Sequence, residues 1–140
     1  MKSDDILKST SNQISLKKAL NHFMDLHRND SPEDIDFYRS QFTATIQAIY
    51  NSVGENAFKN YSNGKFSKKF HPAIFDSLMV SAYFSISQKN TLPNVSLETH
   101  LSLLADSRFK ESISKRTTDI ENIKRRISIA GHTLFGVVLE

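Results

Sequence analysis

The run from His71 to Ser87, HPAIFDSLMVSAYFSIS, constrains the fold of this chain more than any other stretch. Pro72 stands where the first turn of a helix accommodates proline, because the N–H that proline lacks has no partner there. Apolar side chains then fall on every side of the helix, and no glycine, proline or charge interrupts them after Asp76. The run is too long for a typical strand, and it is too short and too rich in hydroxyls to span a membrane. It therefore predicts a buried helix over about residues 72–87.

A second helix has clear signals at both ends. Ser31-Pro32-Glu33-Asp34 supplies a cap, a proline at the first helical position and two acids in the first turn, and Gly54 supplies the stop. Apolar residues recur between them at steps of three or four, which predicts a stripe that faces the core. The stripe consists of Ile35, Tyr38, Phe42, Ile46, Ile49 and Val53.

Weaker patterns predict the remaining elements. An amphipathic helix is expected over residues 14–28, and short helices are expected after Ser96 and over residues 106–114. Thr118 and Glu121 form a capping-box pattern before a helix with one apolar face, whose other face carries charges. The apolar residues of that helix are Ile120, Ile123, Ile127, Ala130 and Leu134, and its charges are Lys124, Arg125 and Arg126. Residues 55–69 predict a short helical piece and a turn at Ser62-Asn63-Gly64, with no sheet.

Composition agrees with one helical domain. A chain of 140 residues can bury one core, and four glycines and three prolines are few for a fold with many tight turns. We therefore predict an all-α, single-domain bundle of five to seven helices around the central helix, over residues 14–140, after a flexible N-terminus at residues 1–13. The lack of cysteine, of an apolar leader and of a long apolar run predicts a cytoplasmic protein that does not enter membranes.

Chemical motifs are sparse, and the sequence predicts no cofactor and no metal site. It contains no glycine-rich phosphate loop and no His-Glu-x-x-His or Gly-x-Ser-x-Gly pattern. The net charge of +3 permits weak nucleic-acid binding. The basic candidates for such binding, some of them interleaved with phenylalanines, are Lys65, Lys68, Lys69, Lys124, Arg125 and Arg126.

One spacing suggests an enzymatic alternative. Arg125 or Arg126 with His132 resembles the Arg-x(4–6)-His motif of HEPN ribonucleases, which implies RNA cleavage across a dimer of helical domains. Arg125 and His132 are seven residues apart and would share a helix face, whereas the side chains of Arg126 and His132 would point in different directions. Gly131 could also end the helix before His132, and Ile127 replaces the polar residue that usually follows the arginine.

A broader resemblance runs from about residue 33 to residue 130. Its residues are Gly54-Glu-Asn-Ala-Phe58, Phe70-His-Pro-Ala-Ile-Phe75-Asp-Ser-Leu78, Leu104-Ala-Asp106-Ser-Arg-Phe109, Thr117-Thr-Asp119, Ile123 and Arg126-Ile127. This order resembles the helical region that follows the ParB/Srx-like nuclease domain in GmrSD-type proteins, a bacterial family linked to restriction of foreign DNA. That nuclease domain has no counterpart here, so the resemblance carries over no catalytic residue. It implies a non-catalytic accessory module whose partner is a nuclease-domain chain or a second copy of itself.

The apolar C-terminal tail is a candidate interface. Five apolar residues within six positions are enough for a contact patch, and the alternative is that they close the core of this domain. They are Leu134, Phe135, Val137, Val138 and Leu139.

Overall fold

The computed structural model describes residues 16–139, and the predicted flexible segment 1–13 lies outside that range. The described chain contains six helices and one β-hairpin, so the prediction of an all-α bundle is confirmed. The elements in order are α1 (Leu16–Leu26), α2 (Pro32–Val53), β1 (Lys59–Ser62), β2 (Lys65–Phe70), α3 (Pro72–Lys89), α4 (Leu97–Ala105), α5 (Ser107–Ser114) and α6 (Ile120–Phe135).

Helix α3 is central, and it packs most extensively on α6. The face of α3 towards the core carries the fully buried Ile74 and Leu78, and its other buried residues are small: Ala73, Ser77, Ser81, Ala82 and Ser85. The hydroxyl of Ser81 donates to the carbonyl of Ser77 at 2.6 Å, so it is satisfied within its own helix. At Gly131 of α6, an added Cβ would lie 3.2 Å from the Cβ of Ser81, which shows how closely the two helices approach. The opposite side of α3 is less enclosed than the sequence predicts, since Tyr83 is exposed.

The predicted ends of α2 are confirmed in detail. The Ser31 side chain accepts from the Asp34 N–H, the Asp34 carboxylate accepts from the Ser31 N–H, and Pro32 occupies the first helical position. Gly54 ends the helix with a φ of 107°, a value that favours glycine.

The apolar stripe of α2 divides into two halves, and only the second half faces the core. Ile49 is fully buried, and Ile46 and Val53 are partly buried. Every residue from Pro32 to Ala44 is exposed, including Ile35, Tyr38 and Phe42. The core-facing prediction is therefore wrong for the first half, because periodicity identifies the apolar side of a helix but not what covers it.

Residues 59–70 form an antiparallel hairpin, where the sequence analysis predicted a short helical piece and no sheet. The predicted turn is present: Asn63 and Gly64 both have positive φ angles, as a two-residue hairpin turn of type I′ requires. Tyr61 lies opposite Phe66 and Ser62 opposite Lys65, with a bulge between Lys59 and Tyr61.

Helix α6 begins one residue later than the capping pattern suggests and continues further. Asp119 is the N-cap, and the Thr118–Glu121 capping box is not formed. The helix passes through Gly131 and ends at Phe135, followed by Gly136 in the left-handed region. Its predicted apolar face is confirmed: Ile120, Ile123, Ile127, Ala130 and Leu134 are all buried.

Candidate interaction surface

Arg126 lies inside the protein, although the sequence pattern placed it on the outer face of α6. Only 2% of the surface of Arg126 is exposed. Its Nε and Nη2 atoms donate to the two carboxylate oxygens of Asp76 at 2.9 and 2.6 Å. Its Nη1 atom donates to the carbonyls of Ser112 and Thr117 at 3.2 and 2.7 Å. The guanidinium therefore joins α6 to the start of α3, to α5 and to the α5–α6 loop.

His71 lies beside this ion pair. Burial lowers the pKa of its imidazole, the charge of Arg126 lowers it further, and the carboxylate of Asp76 acts in the opposite direction. Its Nδ1 atom is buried without a hydrogen-bond partner. His71 is the N-cap residue of α3, but its side chain caps no helix N–H.

Arg125 and His132 are both exposed on α6. Because α6 continues through Gly131, the two residues lie on one helix, two turns and roughly 10 Å apart along the axis. The arginine available for the ribonuclease alternative is therefore Arg125, since the guanidinium of Arg126 is occupied by the contacts described above.

The other basic candidates lie on two elements. Lys65, Lys68 and Lys69 are exposed on β2, and Lys124 of α6 is half-buried. Between the lysines of β2, Phe66 points away from solvent and stacks on His100 with the ring centroids 5.3 Å apart. Phe70, at the end of β2, is about half exposed.

The C-terminal tail packs on the core. Leu134, Phe135 and Val137 are buried, Leu139 is half-buried, and Val138 is exposed. Lys89 of α3 donates to the carbonyls of Phe135 and Gly136 at 3.4 and 3.2 Å, which ties the tail to the end of α3. Four of the five residues predicted for an interface are thus buried or half-buried within this domain.

Exposed apolar side chains concentrate elsewhere, on α1 and α2. Of the twelve large apolar side chains exposed in the described chain, eight lie between residues 20 and 50. Those eight are Leu20, Met24, Leu26, Ile35, Phe37, Tyr38, Phe42 and Tyr50. This grouping shows where a partner could bury apolar area.

Two groups of contacting rings lie in this region, and we refer to them together as the aromatic surface. It consists of Phe23, His27, Tyr38, Phe42, Phe75 and Phe70. Phe23 contacts His27 with the centroids 4.3 Å apart, and His27 meets Tyr38 edge-on at 5.7 Å. Phe42 lies one turn after Tyr38 on the same face of α2 and contacts Phe75 at 6.3 Å, and Phe75 contacts Phe70 at 5.1 Å.

An open groove of about 160 Å³ adjoins the aromatic surface between α2 and α3. It is lined by Gln41, Phe42, Thr45, Met79, Val80 and Tyr83. Its lining contains no charged side chain, and the hydroxyl of Thr45 is bonded to the carbonyl of Gln41 at 2.8 Å. The groove can accept an apolar side chain, and the polar groups in its lining are the Gln41 amide, the Thr45 hydroxyl and the Tyr83 phenol.

Residues 16–139 contain no cluster of three side chains that could hold a metal ion. No helix in this part of the chain is long and apolar enough to cross a membrane. Comparison with known proteins finds no family model, no curated protein and no solved structure that matches the chain.

Proposed function

We propose that this chain is a non-catalytic helical interaction module, and that the aromatic surface is where it binds its partner. The observation that carries the proposal is the division of the α2 stripe. The same face of α2 that buries Ile49 presents Tyr38 and Phe42 to solvent, with 41% and 51% of their surface exposed. Residues 16–139 therefore leave about half of each of these two apolar side chains uncovered.

The exposed apolar area supports an interface. A buried aromatic side chain contributes about 150–250 Å², so a half-exposed one leaves roughly 100 Å² in water. Seven half-exposed apolar side chains, four of them aromatic, lie on α1, α2, β2 and α3, and together they leave roughly 600 Å² in water. They are Leu20, Met24, Ile35, Tyr38, Phe42, Phe70 and Tyr83.

The resemblance to GmrSD-type proteins suggests the biological setting. A module related to the helical region of those proteins would act in bacterial defence, with a ParB/Srx-like nuclease domain as its partner. The lining of the groove contains no carboxylate, histidine or lysine, which fits an accessory role better than a catalytic one.

Co-expression with a ParB/Srx-like nuclease domain from the same genome tests this proposal. We expect the two chains to co-purify, and Phe42→Asp to abolish co-purification by placing a charge in the middle of the contact. Leu97→Asp is the control, because Leu97 is also an exposed apolar residue but lies on α4, outside the aromatic surface. No co-purification, or equal loss with both variants, would contradict a nuclease-domain partner at this surface.

A ribonuclease remains the second candidate, favoured by one observation: α6 continues through Gly131 and presents Arg125 and His132 to solvent together. The test is cleavage of single-stranded RNA by the purified chain. Activity that His132→Ala removes and that Lys110→Ala retains would establish this candidate in place of the accessory role.

A further inference from the structure

We infer that the β-hairpin binds single-stranded nucleic acid, with its exposed lysines on the phosphates and a base stacked on the ring of Phe70. This inference goes beyond the proposed function, because it assigns a second ligand to a different element. Of the residues involved, Phe70 alone also belongs to the aromatic surface. The inference is carried by positive charge that no carboxylate offsets, next to a half-exposed ring.

The hairpin concentrates positive charge. Residues 56–75 contain four lysines and no aspartate or glutamate. Lys65, Lys68 and Lys69 are exposed, and none of the three forms an ion pair within residues 16–139. Lys59 is half-buried and donates to the side-chain oxygen of Asn56 at 3.2 Å, a neutral partner that leaves the charge in place. The segment therefore attracts a polyanion.

Carboxylates near the hairpin do not cancel this charge. Asp76, which follows the hairpin, is held by the buried guanidinium described above. His100 of α4 faces the hairpin, because it stacks on Phe66, and Glu98 lies about 160° around the helix from His100. Glu55 precedes β1 and offsets only one of the four lysines. The hairpin therefore keeps a net positive charge in its folded surroundings.

The structure separates the hairpin from the basic candidates on α6. Arg126 is buried and paired with a carboxylate, so its charge is not available to a ligand. Arg125 lies one turn after Glu121, so a carboxylate shares its face of the helix. Lys124 is half-buried. Of the six basic residues that the sequence suggests for nucleic-acid binding, the three on β2 therefore fit best.

Phe70 supplies an aromatic ring at the end of the same strand. The residue is 54% exposed, and its ring is held by Phe58 and Phe75 at centroid distances of 6.2 and 5.1 Å. Single-stranded nucleic acid has unstacked bases that pack on such rings, while neighbouring cations bind its backbone. A duplex offers no free base face within its length, and an acidic peptide offers no base. The combination of ring and lysines therefore favours a single strand.

The hairpin is held in place before a ligand binds. Phe66 stacks on the buried His100, and the His71 N–H donates to the carbonyl of Phe58 at 2.8 Å. These contacts fix both ends of β2 against the helices. Binding therefore costs little backbone ordering, which favours affinity for a small set of contacts.

Fluorescence anisotropy of a labelled thymidine oligonucleotide with the full chain tests the role of the lysines. The logarithm of the association constant should fall with the logarithm of salt concentration with a slope of about −2 to −3. Changing Lys65, Lys68 and Lys69 together to Ala should flatten this slope by about two. Lys110→Ala with Lys115→Ala, at exposed positions in and just after α5, should leave it unchanged. No binding up to about 1 mM protein at about 50 mM salt, or equal flattening in both variants, would overturn the inference.

Stacking on Phe70 is tested from both sides of the contact. Phe70→Leu keeps an apolar side chain but removes the ring, and should weaken binding at least about fivefold without changing the salt slope, whereas Phe70→Tyr should bind as wild type. Circular dichroism establishes that each variant is folded. An abasic strand of the same length should bind the unaltered protein at least about fivefold more weakly than the thymidine strand. Equal affinity for the two strands would contradict stacking.

Two further polyanions test the class of ligand. A duplex of the same length and a polyglutamate chain of equal charge should both bind more weakly than the single strand, because neither offers a free base to the ring. Equal affinity for polyglutamate would show a general site for acidic polymers, and equal affinity for the duplex would show recognition of phosphates alone. Either result would overturn the assignment to single-stranded nucleic acid.

Discussion

The ion pair between Arg126 and Asp76 shows how one residue can be misplaced by pattern alone. Charges at adjacent positions in α6 predicted a solvated face, and Lys124 and Arg125 do lie nearer to solvent than Arg126. The burial of Arg126 depends on a carboxylate fifty positions earlier and on two backbone carbonyls of the α5 region. The spacing of residues within α6 carries no information about these partners, because they lie on other elements.

Removing the carboxylate should therefore leave a buried charge without its main partner. We expect Asp76→Ala to lower the free energy of unfolding by about 1–3 kcal/mol, less than for a fully enclosed pair because the Asp76 side chain is 41% exposed. Asp36→Ala is the control, since its pair with Arg39 is mostly in water and should change stability by about 0.5 kcal/mol or less. Urea unfolding at neutral pH measures both, and equal effects would contradict the structural role of Arg126.

His100 should make stability depend on pH. Burial lowers the pKa of its imidazole below the ordinary value of 6.5, and its Nε2 atom has no hydrogen-bond partner. The unfolded chain therefore binds a proton more readily than the folded one, so stability is fully present above pH 6.5 and is lost as pH falls below it. His100→Phe, which can keep the stack on Phe66, should flatten this loss between about pH 7 and pH 5. Urea midpoints of the wild type and the variant across this range measure the slope, and an equal slope in both would contradict this role of His100.

At the scale of elements, the bounds of a helix could be predicted where its ends have a capping side chain, a proline at the first position or a terminating glycine. Ser31, Pro32 and Gly54 mark α2 by local hydrogen bonding and backbone geometry, and these features do not depend on tertiary context. The hairpin was missed because its strands are lysine-rich and lack clear alternation, although Asn63-Gly64 is a strong signal for a type I′ turn. The aromatic surface was missed because apolar periodicity is the same in a buried and an exposed half-helix.

The two halves of α2 should respond differently to the same substitution. Ile49→Ala removes a fully buried side chain and should cost about 2–4 kcal/mol of unfolding free energy. Ile35→Ala lies on the same stripe at an exposed position and should cost about 0.5 kcal/mol or less. Chemical denaturation of dilute protein compares them, and similar losses at both positions would show that the first half of α2 is part of the core.

At the scale of the whole molecule, the C-terminal tail completes the core formed by α3 and α6. Val137 is 2% exposed and Val138 is 67% exposed. Substitutions at these two adjacent valines therefore compare the buried side of the tail with its exposed side. Val137→Ala should lower stability by about 2 kcal/mol, from two lost methyl groups at about 0.8 kcal/mol each plus a small cavity. Val138→Ala should change it by less than about 0.5 kcal/mol. The reverse order in thermal unfolding would indicate that the tail packs with its other side inward.

The molecule as a whole therefore consists of a closed core around α3 and an extension formed by α1 and the first half of α2. The core accounts for stability, and the extension carries the apolar area that the core does not use. We propose on the basis of this division that the protein functions by association, with the aromatic surface as its site.

Site-specific photo-crosslinking in living cells tests that claim most directly. A benzoylphenylalanine placed at position 42 lies in the middle of the aromatic surface, and the same residue at position 97 lies on α4, at an exposed position outside that surface. We predict a discrete higher-mass adduct from position 42 and none above background from position 97. No adduct from position 42, or the same adducts from both positions, would contradict the account.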